Sequence, residues 1–137
     1  MLVSLRRSQF RFRLDLHSGV PVYRQLIDQV RGGIASGSLN VGDQLPTVRQ
    51  LAVDLSINPN TVARAYRELE PGGVLETHQG TGTFIAAQKL RGSDGERLRQ
   101  LAQIVADSVA RAGAIGYTVE NLIEELNKLI VAPVRRR

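Results

Sequence analysis

The stretch SINPNTVARAYREL, Ser56 to Leu69, divides its residues between two faces. Val62, Ala65, Tyr66 and Leu69 recur at helical spacing and form a stripe suited to burial. Asn60, Thr61, Arg64 and Arg67 fall on the other face, which reads as free of the i,i+4 acid–base ladder that would mark mere solvation. Asn58-Pro59 opens the stretch as an N-cap followed by proline at the first helical position. Pro71-Gly72-Gly73 stops it after about Glu70.

The residues upstream give this helix its context. Thr47, with Gln50 three residues on, makes a capping-box pattern for a preceding helix whose core positions are Leu51, Ala52 and Leu55. Only Ser56 and Ile57 separate the two. Before them, GSLNVGDQLP is a turn-rich connector. Before that, Tyr23, Leu26, Ile27, Val30 and Ile34 form the stripe of a longer first helix, with Pro21 near its start and Gly37 past its end. Two short helices anchored on a longer one make a helix-turn-helix.

In that motif the second helix enters the DNA major groove with its N-terminal residues at base edges. The Asn60 amide suits adenine N6 and N7, and the Thr61 methyl suits the thymine methyl. Arg64, one turn further along, reaches a guanine edge or a phosphate, and Arg49 on the preceding helix is placed to reach the duplex. The competing interpretation is an ordinary polar surface on a three-helix domain.

Downstream, VLETHQGTGTFIA holds two β-prone runs, Val74–Thr77 and Thr83–Ala86, around HQGTG, whose Gly80 and Gly82 permit a tight reversal. A hairpin directly after the recognition helix is a wing. The GTGT run lacks the Lys and Ser/Thr opening a helix that a phosphate-cradling Walker loop requires.

Composition sets bounds on these readings. The 137 residues carry 18 Lys+Arg against 13 Asp+Glu, a net charge of +5, with a sequence pI near 10.4. A modest positive charge favours a polyanionic partner without specifying one. The absence of cysteine excludes disulfides, thiolate zinc sites and thiol catalysis. No apolar run approaches the roughly 20 residues of a membrane span, and no export signal is visible, so a soluble cytoplasmic protein is expected. His17 and His78 are far apart, without a carboxylate at ligand spacing. No nucleophile, paired-carboxylate or cofactor motif stands out, so neither an enzyme nor a cofactor is expected.

The segment from about Asp15 to Ala87 resembles the winged-helix domain of the GntR family of bacterial transcriptional regulators. PVYRQL, LPTVRQLA, NPNTVARAYRELE and GTGTF, in that order, point to its YtrA-like branch. The resemblance implies a homodimeric, operator-binding regulator, usually a repressor. By motif position it implies DNA contacts from Arg49, from Asn58, Asn60, Thr61 and Arg64, and from Gln79, Gly80 and Thr81 at the wing tip. The sequence departs from the family at four places. Many members have Arg or Lys where His78 and Thr81 stand, so this wing should neutralise fewer phosphates. The wider family often has Arg at Ala63, which leaves base preference open. Pro71-Gly72 replaces a charged pair that commonly closes the recognition helix, which leaves the wing angle open.

Two flanking regions complete the division. Residues 1–20 contain FRFRLDL, with Phe10, Phe12, Leu14 and Leu16 alternating with charged partners, either a short strand or an extended arm packing its aromatics. Residues 21–88 form the winged helix-turn-helix. A polar break, Lys89–Gly95, leads to a two-helix tail over 96–131. Leu98, Leu101, Val105, Val109 and Ala112 make one apolar stripe, and Leu122, Ile123, Leu126, Leu129 and Ile130 a second that opens with Thr118 as N-cap. About 45 residues cannot enclose an effector pocket and a core of their own. The tail therefore reads as a dimerisation element through Leu98, Leu101, Val105, Val109, Leu122, Leu126 and Leu129. A hairpin folded back on the first domain is the other possibility. Arg135–Arg137 is expected to be a frayed, solvated end.

The expected fold is mainly α with a small β-hairpin wing, a winged helix-turn-helix plus a short C-terminal helical dimerisation element. The expected partners are double-stranded operator DNA and a second copy of the chain. A winged helix used only for protein–protein interaction is the alternative function.

Overall fold

The computed structural model describes residues 10–131. The expectations for residues 1–9 and for Arg135–Arg137 lie outside them. The chain separates into two compact units, the first running to Lys89 and the second beginning at Leu90.

The first unit is built on three helices, α1 (Val22–Ser36), α2 (Val48–Leu55) and α3 (Pro59–Leu69). Local chemistry sets each boundary. Pro21 precedes α1, and Gly37 at φ +91 closes it by donating its N–H to the carbonyls of Gly33 and Ile34. Thr47 and Gln50 form the expected capping box on α2. The turn into α3 is closed by Ser56 at φ +56, the only non-glycine residue with positive φ among the described residues. Ile57 N–H reaches the Ala52 carbonyl across it at 2.9 Å. This is the hydrogen-bond pattern of a Schellman cap, with serine where glycine is usual.

The helices bury Leu26, Ile27 and Val30 of α1, Leu51 and Ala52 of α2, and Val62, Ala65, Tyr66 and Leu69 of α3. Tyr23, Ile34 and Leu55 are half-buried rather than fully enclosed. Three strands complete the core. The expected hairpin is β2 (Leu75–His78) with β3 (Gly82–Ile85), and an additional strand, β1 (Gln44–Leu45), pairs antiparallel with β3 to give the order β1-β3-β2. The connector showed turn residues and no alternation, because a two-residue strand is too short for a period to register. Its pairing, Gln44 with Phe84 and Leu45 with Thr83, tethers the wing to the helices.

Of the two expectations for the N-terminal segment, the extended arm is observed from Phe10 to Asp15. The Gln29 side chain accepts from Arg13 N–H at 2.8 Å, and Gln25 accepts from Asp15 N–H at 2.9 Å. Two α1 side chains thus do the work of a neighbouring strand. Phe10 and Phe12 meet edge to face with centroids 4.8 Å apart. A Cβ on Gly33 would stand 2.9 Å from the Phe10 ring and 3.0 Å from Leu39, so glycine opens the seat this aromatic occupies.

The second unit is a helical hairpin, α4 (Asp94–Ala114) and α5 (Val119–Leu129). α4 starts inside the polar break because Ser93 caps it, accepting from Glu96 N–H at 3.1 Å. Asp94 and Glu96 then lie in its first turn, where the helix dipole favours acids. Thr118 and Asn121 make a capping box on α5. Neither helix buries a residue fully. Val109, Ala112 and Leu122 are half-buried, whereas Leu98, Leu101, Val105, Leu126 and Leu129 each remain more than half exposed. Among the described residues, no helix is long and apolar enough to cross a membrane.

Tyr66 locks α3 to the segment leading into α2, its phenol donating to the Pro46 carbonyl at 2.7 Å. Burial pushes that phenol well above the ordinary tyrosine range. Tyr66→Phe should cost about 1 kcal/mol of stability, the net worth of one hydrogen bond. Because the folded-state value is raised, the unfolded chain ionises first. The wild type should therefore lose stability as pH rises past the unfolded tyrosine value of about 10. Urea titrations from pH 8 to 11 check this, with Tyr66→Phe lacking that share of the alkaline loss.

Candidate nucleic-acid interface

α3 presents its polar face because its apolar face is fully committed. Asn58 is its N-cap, the side-chain oxygen accepting from Asn60 N–H at 2.8 Å. That leaves the Asn58 amide NH2 as the group able to meet a ligand. Asn60 is exposed and Thr61 half-exposed, and neither side chain makes a hydrogen bond among the described residues. Both lie in the first turn, where helix N–H groups also point outward and favour an anion.

Arg64 corrects the sequence-based expectation of an unpaired face. Its Nε donates to Glu68 Oε2 at 3.1 Å, an i,i+4 pair on the same helix. Its guanidinium carbon also lies 3.7 Å from the centroid of the Tyr23 ring on α1. The Arg64–Glu68 spacing was legible in the sequence. The stack was not, because Tyr23 falls on the apolar stripe of α1 and its exposed ring face depends on where α3 crosses. Arg67 is exposed, without a side-chain partner among the described residues.

The remaining expected contacts stand on other elements. Arg49 on α2 is exposed, beside Pro46, Thr47, Gln50, Val53 and Asp54 in an open surface depression. The wing tip holds Gln79, Gly80 and Thr81, all exposed. Gly80 sits at φ +86, a conformation costly for L side chains, and thereby turns the hairpin. Thr81 is less available than the motif implies, since its hydroxyl donates to the His78 carbonyl at 3.0 Å. Its own carbonyl accepts from Gln44 Nε2 at 2.9 Å, so β1 steadies the tip through a residue the sequence did not single out. His78 Nε2 meets Glu76 Oε1 at 2.9 Å, two residues away on β2, which corrects the expectation of a histidine without a nearby carboxylate, and its ring packs edge to face on Phe84. The wing therefore offers donors and backbone at its tip but no Lys or Arg.

The chain thus combines a helix-turn-helix, a β-hairpin wing and an exposed polar first turn on α3. The family described as "Bacterial regulatory proteins, gntR family" matches residues 22–85. The HTH-type transcriptional repressor YtrA of Bacillus subtilis is 36% identical over 121 residues, covering 85% of this chain and 90% of that protein. The chain belongs to the GntR family. Its type within the GntR family is that of the YtrA regulators. The solved structure of YtrA from Sulfolobus acidocaldarius, a GntR-family transcription factor, is 30% identical. It aligns with a TM-score of 0.54 over 72% of this chain and 97% of that one. A crystal structure of a transcriptional antiterminator from Listeria monocytogenes EGD-e gives a TM-score of 0.69 at 28% identity, covering 95% of this chain and 100% of that one. This GntR protein is a DNA-binding transcriptional regulator, not an enzyme.

The uncharged wing tip yields a direct test. Thr81→Arg should raise affinity for every duplex and steepen the log–log salt dependence by about one unit, the release of one more counterion. Titrations from 50 to 300 mM salt measure the slope, and an unchanged slope would mean that the tip does not approach the backbone.

Proposed function

We propose that this GntR regulator is a repressor that binds an inverted-repeat operator as a homodimer, with α3 reading bases in the major groove and the wing tip meeting the flanking backbone. The observation that carries it is the first turn of α3. The Asn60 and Thr61 side chains are held outward by a buried opposite face and are not spent on intramolecular hydrogen bonds among the described residues. Arg64 follows one turn later, and Arg49 adds a cation from α2.

The dimer is supported by the second unit. Leu98, Leu101 and Val105 on α4 and Leu126 and Leu129 on α5 leave most of their apolar area uncovered, Leu98 at 65% and Leu129 at 62% exposure, and the half-buried Val109 and Leu122 continue the same stripes. Stripes of this kind mark an interaction surface. A two-fold partner presenting the same stripes would cover them, at about 25 cal/mol per Å² of apolar surface removed from water. The first unit, by contrast, encloses its own core.

Two outcomes follow. Thr61→Ala or Arg64→Ala should weaken operator binding by roughly 1–3 kcal/mol while random DNA loses much less. Equal losses on both would place these side chains on phosphate alone. Truncation after Lys89 should leave a folded domain that sediments as a monomer and binds the operator roughly 100-fold or more weakly, because the second half-site contact is no longer intramolecular. Leu101→Asp or Leu126→Asp should reproduce this in the full chain. A truncated protein that still sediments as a dimer would move the interface into the first unit.

A further inference from the structure

The state of Arg64 goes beyond assigning it to DNA. An arginine on an exposed helix face ordinarily samples many rotamers and meets a phosphate in several ways. Here two contacts from two elements hold it. The ring of Tyr23, from α1, lies 3.7 Å beneath the guanidinium carbon. Glu68, one turn along α3, takes the Nε hydrogen at 3.1 Å. One flat face and one edge are therefore used. What stays open is the far edge, Nη1 with Nη2, on a side chain still 53% exposed. The Tyr23 hydroxyl has no hydrogen bond among the described residues, so the ring alone makes the contact.

We propose that Tyr23 and Glu68 are positioning residues that hold Arg64 for an end-on, two-pronged contact with guanine, and so set base discrimination rather than general affinity. The proposal rests on α3 lying in the major groove. Guanine presents O6 and N7 as adjacent acceptors there, matching two parallel N–H groups in one plane. The stack on Tyr23 fixes that plane, and the Glu68 pair removes the side-on mode that uses Nε. Glu68 also places a negative charge beside the cation, offsetting its attraction for any phosphate whatever the sequence. Such a pair lowers non-specific binding while leaving the oriented edge intact.

The test uses the full chain, its operator, the same operator with each G·C pair of a half-site replaced in turn by A·T, and a random duplex of equal length. In the wild type, one replacement should weaken binding by roughly 10-fold or more, and Arg64→Ala should erase that penalty. Tyr23→Leu and Glu68→Ala should each shrink the same penalty about 3-fold, the scale of one exposed cation–π contact or one exposed ion pair. Tyr23→Phe should retain it in full. Glu68→Ala should also bind the random duplex more tightly than the wild type does.

The outcomes separate the two ideas. If Arg64→Ala leaves every penalty in place, Arg64 does not read a base, and both the placement of its edge and this proposal fall. If Arg64→Ala erases one penalty but Tyr23→Leu and Glu68→Ala do not reduce it, α3 still reads DNA and the positioning claim is overturned. Equal losses on operator and random DNA in Glu68→Ala would also overturn it. Should Tyr23→Leu lose the native circular dichroism spectrum, the exposed Glu68→Ala substitution and the retention in Tyr23→Phe decide the matter.

Discussion

Everything at the exposed polar face of α3 depends on the burial of its opposite face. Val62, Ala65 and Leu69 are completely enclosed and Tyr66 nearly so, at 6% exposure. Each large apolar side chain taken fully from water contributes roughly 1.5–3 kcal/mol, so rotating the helix by even part of a turn would forfeit several of them. The Tyr66 hydrogen bond to the Pro46 carbonyl adds a directional constraint to this otherwise non-directional force. With rotation fixed, Asn60, Thr61 and Arg64 have one direction in which to point. A rigid helix presenting a few polar groups needs little ordering on binding, which lowers the entropic cost of association.

The two units solve opposite problems. The first closes its core with three helices, a three-stranded sheet and an aromatic arm clamped by Gln25 and Gln29. The second leaves its apolar stripes open, with caps and dipole-matched charges holding helices that little tertiary packing supports. Helices of 21 and 11 residues gain most of their stability from packing an amphipathic face, so the second unit is the part that profits most from a partner. In the proposed homodimer, folding of the first unit and pairing of two copies would rest on different residues. Either can then be disrupted by substitution without the other.

Much of this was legible in the sequence, for physical reasons that vary by element. The caps at Thr47, Asn58 and Thr118 are local, and each side chain finds its partner within three residues, so spacing alone located them. The buried stripe of α3 matched its periodicity residue for residue. What stayed hidden was non-local. β1 exists because Gln44 and Leu45 meet Phe84 and Thr83 some forty positions away. The arm was ambiguous between strand and coil because its partners are side-chain amides on α1, not a neighbouring backbone. Tyr23 read as core because its spacing fits the stripe, and its second role appears only where α3 crosses α1. The Arg64–Glu68 pair, by contrast, is local and has the i,i+4 spacing of a helix ion pair.

The most direct test of DNA readout by a two-fold pair of α3 helices is selection of binding sites from random duplex DNA with the full chain. The expected result is an inverted repeat whose half-site centres lie about one helical turn, roughly 10 base pairs, or a multiple apart. Enrichment of an asymmetric sequence, or no enrichment over the starting pool, would contradict it.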